Sequence, residues 1–370
     1  MGASMNHLSD RALASAAKLI LTGLAALLAG CRQPGPAPAP VTARWPVMST
    51  VAELSLPVGA TNLPRLQPIV AGCFDAVENR LSFFRETSDI ARINRQAGTG
   101  IPVAVAAGTA DVLAQALSVA RESGGAFDPT VAPLMRLWGF RGGVTNLARP
   151  AHEALGGTLA LVDWRQVTLV VTAAPPHAAV HLARPGMELD LGGIAKGYAV
   201  DQAYDALLRE GCSVFLVNLA GNMRGRGAPA AGRRGWRIGI RDPLQVQAGA
   251  WLGTLTLEDG EALATSGNYE RFVVVEGERV PHIIDPRDGQ PARGLISVTV
   301  LAGSALEADA LSTALFVLGV DQRRTVLRAH PGCGAVYLTD TRPPRLRVTP
   351  ELHGRFRPAP GWKTAVEWVD

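Results

Sequence analysis

The sequence predicts an α+β fold in which antiparallel sheets pack against helices in one interwoven unit. Three observations indicate this class. Segments with strand patterning outnumber segments with helical spacing, most neighbouring strands are separated by hairpin-like turns, and no fixed-period repeat is present. The chain has 370 residues, of which 47% are hydrophobic and only 18% are charged, so it can bury a large core.

The N-terminal region carries a targeting pattern. Arg11 and Lys18 precede an apolar stretch over residues 19–28 that is too short to cross a bilayer and has the proportions of a signal-peptide core. The stretch ends in Leu28-Ala29-Gly30-Cys31, which resembles a bacterial lipobox, in which the cysteine thiol receives a diacylglycerol group. A plain secretory signal followed by a chance cysteine is the alternative.

We therefore expect residues 1–30 to be a lipoprotein signal peptide and Cys31 to be the lipid anchor. The protein would lie on the periplasmic side of a bacterial membrane, inner or outer. Residues 31–46 are rich in proline and alanine and predict an extended tether. A catalytic domain is expected over residues 47–350 and a C-terminal tail over 351–370.

The distribution of the basic residues gives little support for a nucleic-acid partner, although the formal net charge is +4. It comes almost entirely from arginine, since Lys18, Lys196 and Lys363 are the only lysines. No run of basic residues interleaved with aromatic residues is present, and such a run is typical of nucleic-acid-binding surfaces.

The periodic segments of the remaining chain are assigned in order. Helical spacing of apolar residues predicts helices over Leu66–Leu81, Ala110–Arg121, a segment that follows Gly192-Gly193 and runs to about Arg209, Ser304–Leu318, and a shorter segment ending near Ala329. Strand patterning predicts strands over Val51–Val58, Val167–Val171, Ala179–Leu182, Glu188–Leu191, Ser213–Leu219, several segments between Trp236 and Val300, and Gly334–Thr339. Residues 126–143 are rich in glycine, proline and aromatic residues and predict an ordered loop. Pro175-Pro176 predicts the turn of a hairpin, Ser304 a helix N-cap and Gly319 a helix end.

The first chemical motif is the segment 189–198, where a predicted strand ends in Gly192-Gly193 and a helix begins. This arrangement directs free backbone N–H groups at an anion, and glycine also lets a backbone carbonyl face a cation. Lys196 in the first helical turn opposes the helix dipole, and a bound phosphate would give it a reason to be there. A tight structural turn is the alternative.

The second motif lies in the predicted helix over Ser304–Leu318. Asp309 and Thr313 are four residues apart and share one face, with Ser312 beside them. Because the helix is otherwise apolar, these groups face something other than bulk water, and hard oxygen ligands of this kind suit Mg²⁺. The alternative is that Thr313 bonds back to its own helix while Asp309 pairs with an arginine.

Three further segments combine polar groups with apolar or aromatic residues. His282 lies in an apolar strand, where a core histidine is the ordinary case, but it is also the best candidate for a general base among only seven histidines. Asp128 and Thr130 are able to bond the polar edge of a ligand. The segment 264–272 places hydroxyl groups and an amide at a glycine bend.

Several common catalytic patterns are missing from the sequence. It contains no phosphate-binding P-loop, no GxSxG elbow, no HExxH helix and no Cys/His cluster with metal-ligand spacing. The commonest classes of hydrolase and of nucleoside triphosphatase are therefore excluded. Cys73, Cys212 and Cys333 are expected to be free thiols, with one disulfide as the alternative.

Taken in order along the chain, these segments resemble the ApbE-like FAD:protein FMN transferases, formerly described as thiamine-biosynthesis lipoproteins. The matching elements run from about Met48 to Thr339. They include the stretches Leu81–Asn94, Phe127–Thr130, Leu137–Phe140, Leu189–Gly197, Val217–Asn222, Thr265–Tyr269, His282–Pro286 and Ala308–Ala314. Each stretch is modest alone, but the ordered set is specific.

The resemblance implies a T-fold-related architecture with FAD in a central cleft and Mg²⁺ near its pyrophosphate. It implies that a threonine hydroxyl of an acceptor protein attacks the FMN-side phosphorus and that AMP leaves. The implied acceptors are flavoprotein subunits of membrane redox complexes. The implied metal ligands are Gly193, Asp309, Ser312 and Thr313, and the implied base is His282. The implied flavin-site residues are Met48, Phe84, Asp128, Pro129, Thr130, Asp190, Lys196 and Ile284.

The chain departs from the family pattern at three places. Met48-Ser49-Thr50 stands where the family usually has Met-Gly-Thr, so a side chain there would narrow the flavin pocket or alter the turn. Phe84 stands where some relatives carry tryptophan, and Ala220 where glycine is frequent. None of these changes removes an implied metal ligand.

Two other functions remain open at this point. A magnesium-dependent FAD pyrophosphatase would use water in place of the acceptor hydroxyl and release FMN and AMP. A periplasmic FAD carrier would bind the dinucleotide without chemistry. The presence of Asp309, Thr313 and His282 argues against a carrier.

Overall fold

Seventeen strands and eight helices alternate along the residues that a computed structural model describes, namely 39–141, 148–173, 178–230, 232–245 and 250–369. The helices are α1 (Leu63–Leu81), α2 (Asp89–Arg95), α3 (Ala107–Glu122), α4 (Ala132–Leu137), α5 (His152–Leu159), α6 (Ala195–Arg209), α7 (Ala305–Leu318) and α8 (Arg324–Leu327). The strands are β1 (Val41–Val47), β2 (Thr50–Leu56), β3 (Val103–Ala104), β4 (Val167–Val171), β5 (Ala178–Leu182), β6 (Phe215–Leu219), β7 (Asn222–Arg226), β8 (Trp236–Arg241), β9 (Trp251–Leu257), β10 (Ala262–Gly267), β11 (Phe272–Val275), β12 (Glu278–Pro281), β13 (Leu295–Ala302), β14 (Gly334–Thr339), β15 (Leu346–Val348), β16 (Arg357–Pro358) and β17 (Val366–Trp368).

A nine-stranded sheet in the order β1-β2-β6-β7-β10-β13-β14-β15-β17 forms the centre of the fold. All its neighbours are antiparallel except β15 and β17, which run parallel. The remaining strands form smaller sheets, β16-β9-β8, β3-β5-β4 and the separate hairpin β11-β12. The predicted α+β class with antiparallel sheets is confirmed.

Both faces of the central sheet are covered. Alternate residues of β14 show this, since Ala335 and Tyr337 pack with α7 whereas Val336 and Leu338 pack with β8 and β9. A strand that is buried on both sides loses the polar-out alternation, which explains why β13 and β14 read as continuous apolar runs. The helix layer brings the N-termini of α6 and α7 to one place, where the site lies.

Most predicted elements are confirmed, and the exceptions have physical reasons. The predicted strand Glu188–Leu191 is wrong, because only Glu188 forms a bridge, to Val131. The Asn94 side chain instead bonds both the N–H and the carbonyl of Leu189, so this extended segment needs no neighbouring strand. The predicted loop over 126–143 contains the short helix α4.

The predicted boundaries also shift at both ends of the chain. Residues 41–46 were expected in the tether but belong to β1, which pairs along its whole length with β2. The expected tail over 351–370 contributes β17, which pairs with β15, so it is part of the folded unit. The signal peptide, Cys31 and Pro175-Pro176 lie outside the described residues.

A partly buried ion pair fixes the start of α7. Asp201 of α6 accepts hydrogen bonds from the N–H groups of Ala305 and Leu306, each at 2.9 Å, and from the Arg224 guanidinium at 2.9 Å. Arg224 in turn lies over the Tyr204 ring, 4.1 Å from its centroid. A carboxylate at a helix N-terminus satisfies backbone donors that have no partner within the helix, and it therefore holds α7 in register against α6.

A second polar contact holds α7 from its other side. The His330 ring lies between two carboxylates, with Nδ1 2.7 Å from Glu307 and Nε2 2.8 Å from Glu122 of α3. These contacts, led by the hydrogen bond to Glu307, raise the pKa of His330 despite its burial. The imidazolium thus links α3 to α7 and the segment after α8.

Two further properties of the described residues concern the cysteines and the length of the helices. Cys73, Cys212 and Cys333 are free thiols, as expected. Among the residues that the structure describes, none of the helices combines the length and apolar character that a bilayer span requires.

Candidate active site

A cleft of about 500 Å³ opens where the β1–β2 and β6–β7 turns meet the starts of α4 and α6 and one face of α7. Its volume is within the range of small-molecule sites. The residues that were expected in the site and line this cleft are Met48, Phe84, Asp128, Asp190, Gly193, Lys196, His282, Ile284, Asp309 and Thr313. Pro129, Thr130 and Ser312 do not line it but lie behind its wall.

The two turns at the cleft contain non-glycine residues with left-handed backbone. Met48 and Ser49 have φ values of 49° and 56°, and Ala220 has a φ value of 53°. Each turn is a two-residue hairpin connection, between β1 and β2 or between β6 and β7, and such connections favour glycine at these angles. Ser49 and Ala220 are also the positions where the chain departs from the glycine of the family pattern that it resembles.

We expect Ser49→Gly and Ala220→Gly each to raise the free energy of unfolding by about 0.5–1 kcal/mol. Left-handed backbone costs a non-glycine residue roughly 1–2 kcal/mol, and part of that gain is lost to the greater freedom of glycine in the unfolded chain. Urea denaturation measures the change. Ala114→Gly, at an exposed position inside α3, is the matched control and should lower stability by about 1 kcal/mol. Loss of stability at both turns would contradict the interpretation.

Asp128 is held rigidly at the cleft wall. Its Oδ1 accepts hydrogen bonds from the N–H of Thr130 at 2.8 Å and from its hydroxyl at 2.6 Å, and its Oδ2 accepts one from the Trp164 N–H at 3.1 Å. Burial raises the pKa of this carboxyl group although these bonds oppose the shift. Thr130 therefore orients Asp128, and the Pro129 carbonyl accepts a hydrogen bond from the Asp190 N–H at 2.8 Å.

Asp190 pairs with Arg141, a cleft residue that sequence reasoning missed. Both side chains are buried, and the Arg141 guanidinium lies over the Phe83 and Phe84 rings, at 5.2 and 5.1 Å from their centroids. Asp190 also accepts from the Gly192 N–H at 2.8 Å. The two rings are nearly perpendicular to each other, with an interplanar angle of 81°, and the exposed Phe84 ring offers an aromatic surface to a planar ring system.

Lys196 faces a carboxylate and a carbonyl. Its Nζ donates to the Gly192 carbonyl at 3.0 Å and lies 3.7 Å from Asp309 Oδ1. The sequence suggested that a phosphate explains this lysine at a helix start. The structure gives it a protein partner as well, because Asp309 lies directly opposite on α7.

Asp309 and Thr313 share one face of α7 and both reach the cleft, as their spacing predicts. Asp309 is only 4% exposed, and its Oδ2 accepts from the Gly197 N–H at 2.9 Å. The Thr313 hydroxyl bonds back to the Asp309 carbonyl at 3.3 Å and also lies 3.4 Å from the Ser266 hydroxyl. The alternative of back-bonding therefore holds for Thr313, whereas Asp309 pairs with a lysine and not with an arginine.

The oxygen atoms around Asp309 fit a hard divalent cation. Gly193 lies so close to α7 that a β-carbon on it would be 3.1 Å from Thr313 Oγ1, which places its backbone beside the hydroxyl. Among the described residues no group of three or more His, Cys, Asp or Glu side chains has metal-binding geometry. One carboxylate with neutral oxygens suits Mg²⁺, which keeps waters and relies on substrate phosphates. Ser312 is fully buried, bonds the Asp309 carbonyl and the Ser266 hydroxyl, and so supports this face from behind.

His282 lies at the edge of the cleft in its neutral form. Burial, assisted by the charges of Arg271, Lys196 and Arg141, lowers its pKa to about 4. Its Nδ1 is 3.1 Å from the Arg271 carbonyl, which only accepts hydrogen bonds, so Nδ1 carries the proton. The Nε2 atom then has a free lone pair with which to accept a proton.

Glu270 and Arg271 are further charged residues of the cleft that sequence reasoning missed. They lie within the segment 264–272, in which the sequence indicated only the hydroxyl groups and the amide as candidate ligand contacts. Burial raises the pKa of the Glu270 carboxyl group. Their position next to the glycine bend was the only available signal.

The chain is similar to known proteins over most of its length. The model of the ApbE family matches residues 48–337. The FAD:protein FMN transferase of Treponema pallidum is 38% identical over 287 residues, which cover 75% of this chain and 77% of that protein. The FAD:protein FMN transferase of Klebsiella pneumoniae is 37% identical over 282 residues, covering 74% and 84% respectively.

Solved structures show the same likeness. The crystal structure of the ApbE protein from Thermotoga maritima is 31% identical, with a TM-score of 0.72 over 88% of this chain and 99% of that chain. The flavin transferase ApbE from Vibrio cholerae is 28% identical, with a TM-score of 0.72 over 85% and 99% respectively.

Proposed function

Because this chain belongs to the ApbE family and is an FAD:protein FMN transferase, we propose that it joins FMN to a threonine of an acceptor protein through a magnesium-dependent reaction. The observation that supports this most directly is the cleft itself. It brings a buried carboxylate, Asp309, and a hydroxyl, Thr313, to the same space as a neutral histidine, His282. Phosphoryl-type transfer needs a positioned nucleophile and a cation on the phosphate oxygens, and little else.

In the proposed reaction the acceptor hydroxyl forms a bond to the FMN-side phosphorus of FAD. The bond from that phosphorus to the bridging oxygen breaks, and AMP leaves with the bond electrons. His282 Nε2 accepts the hydroxyl proton, while the Arg271 carbonyl holds the ring in orientation through Nδ1–H. Asp309, Thr313 and the Gly193 carbonyl would hold Mg²⁺, whose charge stabilises the negative charge on the phosphate oxygens.

The other cleft residues are proposed to bind FAD. The exposed Phe84 ring would stack on the isoalloxazine or adenine ring, and the Arg141–Asp190 pair beside it would contact the polar edge of that ring. Asp128, fixed by Thr130, and Met48 and Ile284 would shape the rest of the pocket. Lys196, whose Nζ lies 3.7 Å from Asp309 Oδ1, would contact a phosphate of the pyrophosphate.

One incubation separates transfer from its alternatives. The purified protein is mixed with FAD, Mg²⁺ and a flavoprotein subunit, and the products are run on a denaturing gel. We expect flavin fluorescence that stays with the acceptor band, together with one AMP per FMN attached. Free FMN and AMP without a labelled band would identify a pyrophosphatase, and unchanged FAD would identify a carrier.

The low pKa of His282 predicts an unusual pH profile. A base must be deprotonated to act, and the fraction of neutral His282 in the free enzyme falls only as the pH approaches about 4. We therefore expect kcat/KM to stay level on the acid side through pH 6, where an ordinary histidine base would already lose activity. His282→Gln should lower kcat by about 10²–10⁴-fold, a range typical of a lost general base.

Initial rates of acceptor labelling between pH 4.5 and 8 measure this profile. His152→Gln, at an exposed position, is the matched control and should behave as the unmodified enzyme. A loss of activity centred between pH 6 and 7 that is present in the unmodified enzyme and absent from His282→Gln would contradict the lowered pKa of His282.

We also propose that Cys31 carries a lipid and holds the enzyme at the periplasmic face of a bacterial membrane, where its acceptors would be flavoprotein subunits of membrane redox complexes. The apolar stretch at 19–28 and its Leu-Ala-Gly-Cys end support this. We expect Cys31→Ser to move the protein from the membrane fraction to the soluble fraction. Labelling with a radioactive fatty acid measures the anchor, and label that persists in Cys31→Ser would contradict it.

A further inference from the structure

The hairpin β11–β12 begins and ends at the edge of the cleft. Arg271 immediately precedes β11, His282 immediately follows β12, and both line the cleft. The His282 N–H donates to the Arg271 carbonyl at 3.1 Å, so the two residues close the base of the hairpin. A chain segment that lies along this hairpin is therefore led to His282.

The two faces of the hairpin differ. Val273, Val275 and Val280 face the cluster around Leu134 and Met135 and fix the hairpin to the body of the protein. On the other face Phe272 is 42% exposed and Val274 is 51% exposed. Arg279 lies opposite Val274 in the register, and its guanidinium is 4.5 Å from the centroid of the Phe272 ring. This outer face, made of Phe272, Val274 and Arg279, is an apolar surface with a cation on it.

The charges on the hairpin are distributed unequally. Glu276 and Glu278, close to the tip, both pair with Arg149. Arg271 at the base and Arg279 on the outer face form no ion pair with any described residue. The two acids are thus neutralised within the chain, whereas Arg271 and Arg279 remain available, which favours a partner of opposite charge.

Resting on the proposed function, in which the second substrate is a protein, we propose that the outer face of β11–β12 docks an extended segment of the acceptor. An apolar side chain of that segment packs on Phe272 and Val274, and a carboxylate pairs with Arg279. The position of His282 at the hairpin base then places the acceptor threonine within reach of the base. Docking of this kind contributes to acceptor affinity and leaves FAD binding unaffected.

The test uses the full-length enzyme and, as probe, a purified flavoprotein subunit to which the unmodified enzyme attaches FMN. We expect Phe272→Ser and Arg279→Glu each to raise the KM for this acceptor about tenfold or more, a change equivalent to about 1.4 kcal/mol. The kcat at saturating acceptor and the Kd for FAD, measured by flavin fluorescence, should not change. A lysine in place of the acceptor carboxylate that pairs with Arg279 should return the KM measured with Arg279→Glu most of the way to the value of the unmodified enzyme and acceptor.

A matched pair of valines controls for exposure. Val274→Thr should raise the acceptor KM, whereas Val170→Thr should not, although Val170 of β4 is 47% exposed and also lies in a strand. An acceptor KM within twofold of the unmodified value in both Phe272→Ser and Arg279→Glu would overturn the docking site, as would an equal effect of Val170→Thr. If the unmodified enzyme attaches no FMN to any flavoprotein subunit, the proposed function fails, and the docking site fails with it.

Discussion

Asp309→Asn is expected to lower the rate of FMN transfer by about 10³-fold or more, because it removes the only carboxylate on the oxygen-rich face of α7 among the proposed ligands. The substitution keeps the shape of the side chain. The remaining amide oxygen still accepts from the Gly197 N–H, which the carboxylate now does at 2.9 Å. The loss should therefore lie in the chemistry and in magnesium affinity rather than in the fold.

The measurement is a magnesium titration of acceptor labelling, followed by the free energy of unfolding in urea without magnesium. We expect the magnesium concentration for half-maximal rate to rise at least tenfold, with stability within about 1 kcal/mol of the unmodified protein. Asp321→Asn, just beyond the end of α7 at an exposed position, is the matched control and should change neither quantity. Unchanged magnesium dependence in Asp309→Asn would show that the ligand assignment is wrong.

Local rules were sufficient to predict much of the site. The Ser304 hydroxyl accepts from the Glu307 N–H at 3.2 Å, and Gly319 ends α7, as the cap and stop signals indicate. A helix whose ends are known also fixes which residues share a face, so Asp309 and Thr313 were expected together. Such predictions succeed because each depends only on residues within a few positions of one another.

The missed features depend on residues far apart in the sequence. Arg141 reaches Asp190 across 49 positions, and Asp201 caps a helix that begins 104 positions later. The periodicity of apolar residues does not predict such contacts, because they follow from how the helices and strands pack together. The same reason explains the wrong strand at Glu188–Leu191, where the Asn94 side chain supplies the hydrogen bonds that a neighbouring strand would otherwise supply.

The position of the Asp309 side chain also depends on how closely α6 approaches α7. At Gly197 a β-carbon would lie 2.1 Å from the Ala305 carbonyl oxygen and 2.8 Å from Asp309 Cβ. Real β-carbons essentially never approach backbone atoms so closely, and the Ala305 carbonyl is part of a capped helix start that cannot move alone. Gly197 is therefore required for the contact between the helices, although glycine inside a helix ordinarily lowers stability.

Gly197→Ala is accordingly expected to lower the free energy of unfolding by about 3 kcal/mol or more, at the upper end of overpacking effects. It should also lower the transfer rate, because the helices must separate and Asp309 loses both the Gly197 N–H and its place opposite Lys196. Gly156→Ala is the matched control. Gly156 lies inside α5 with no atom within 4 Å of a new β-carbon, so the same change there should raise stability by up to about 1 kcal/mol. Equal changes in the free energy of unfolding for the two variants would contradict this prediction. They would show that helix propensity, and not the contact between α6 and α7, determines the effect of Gly197→Ala.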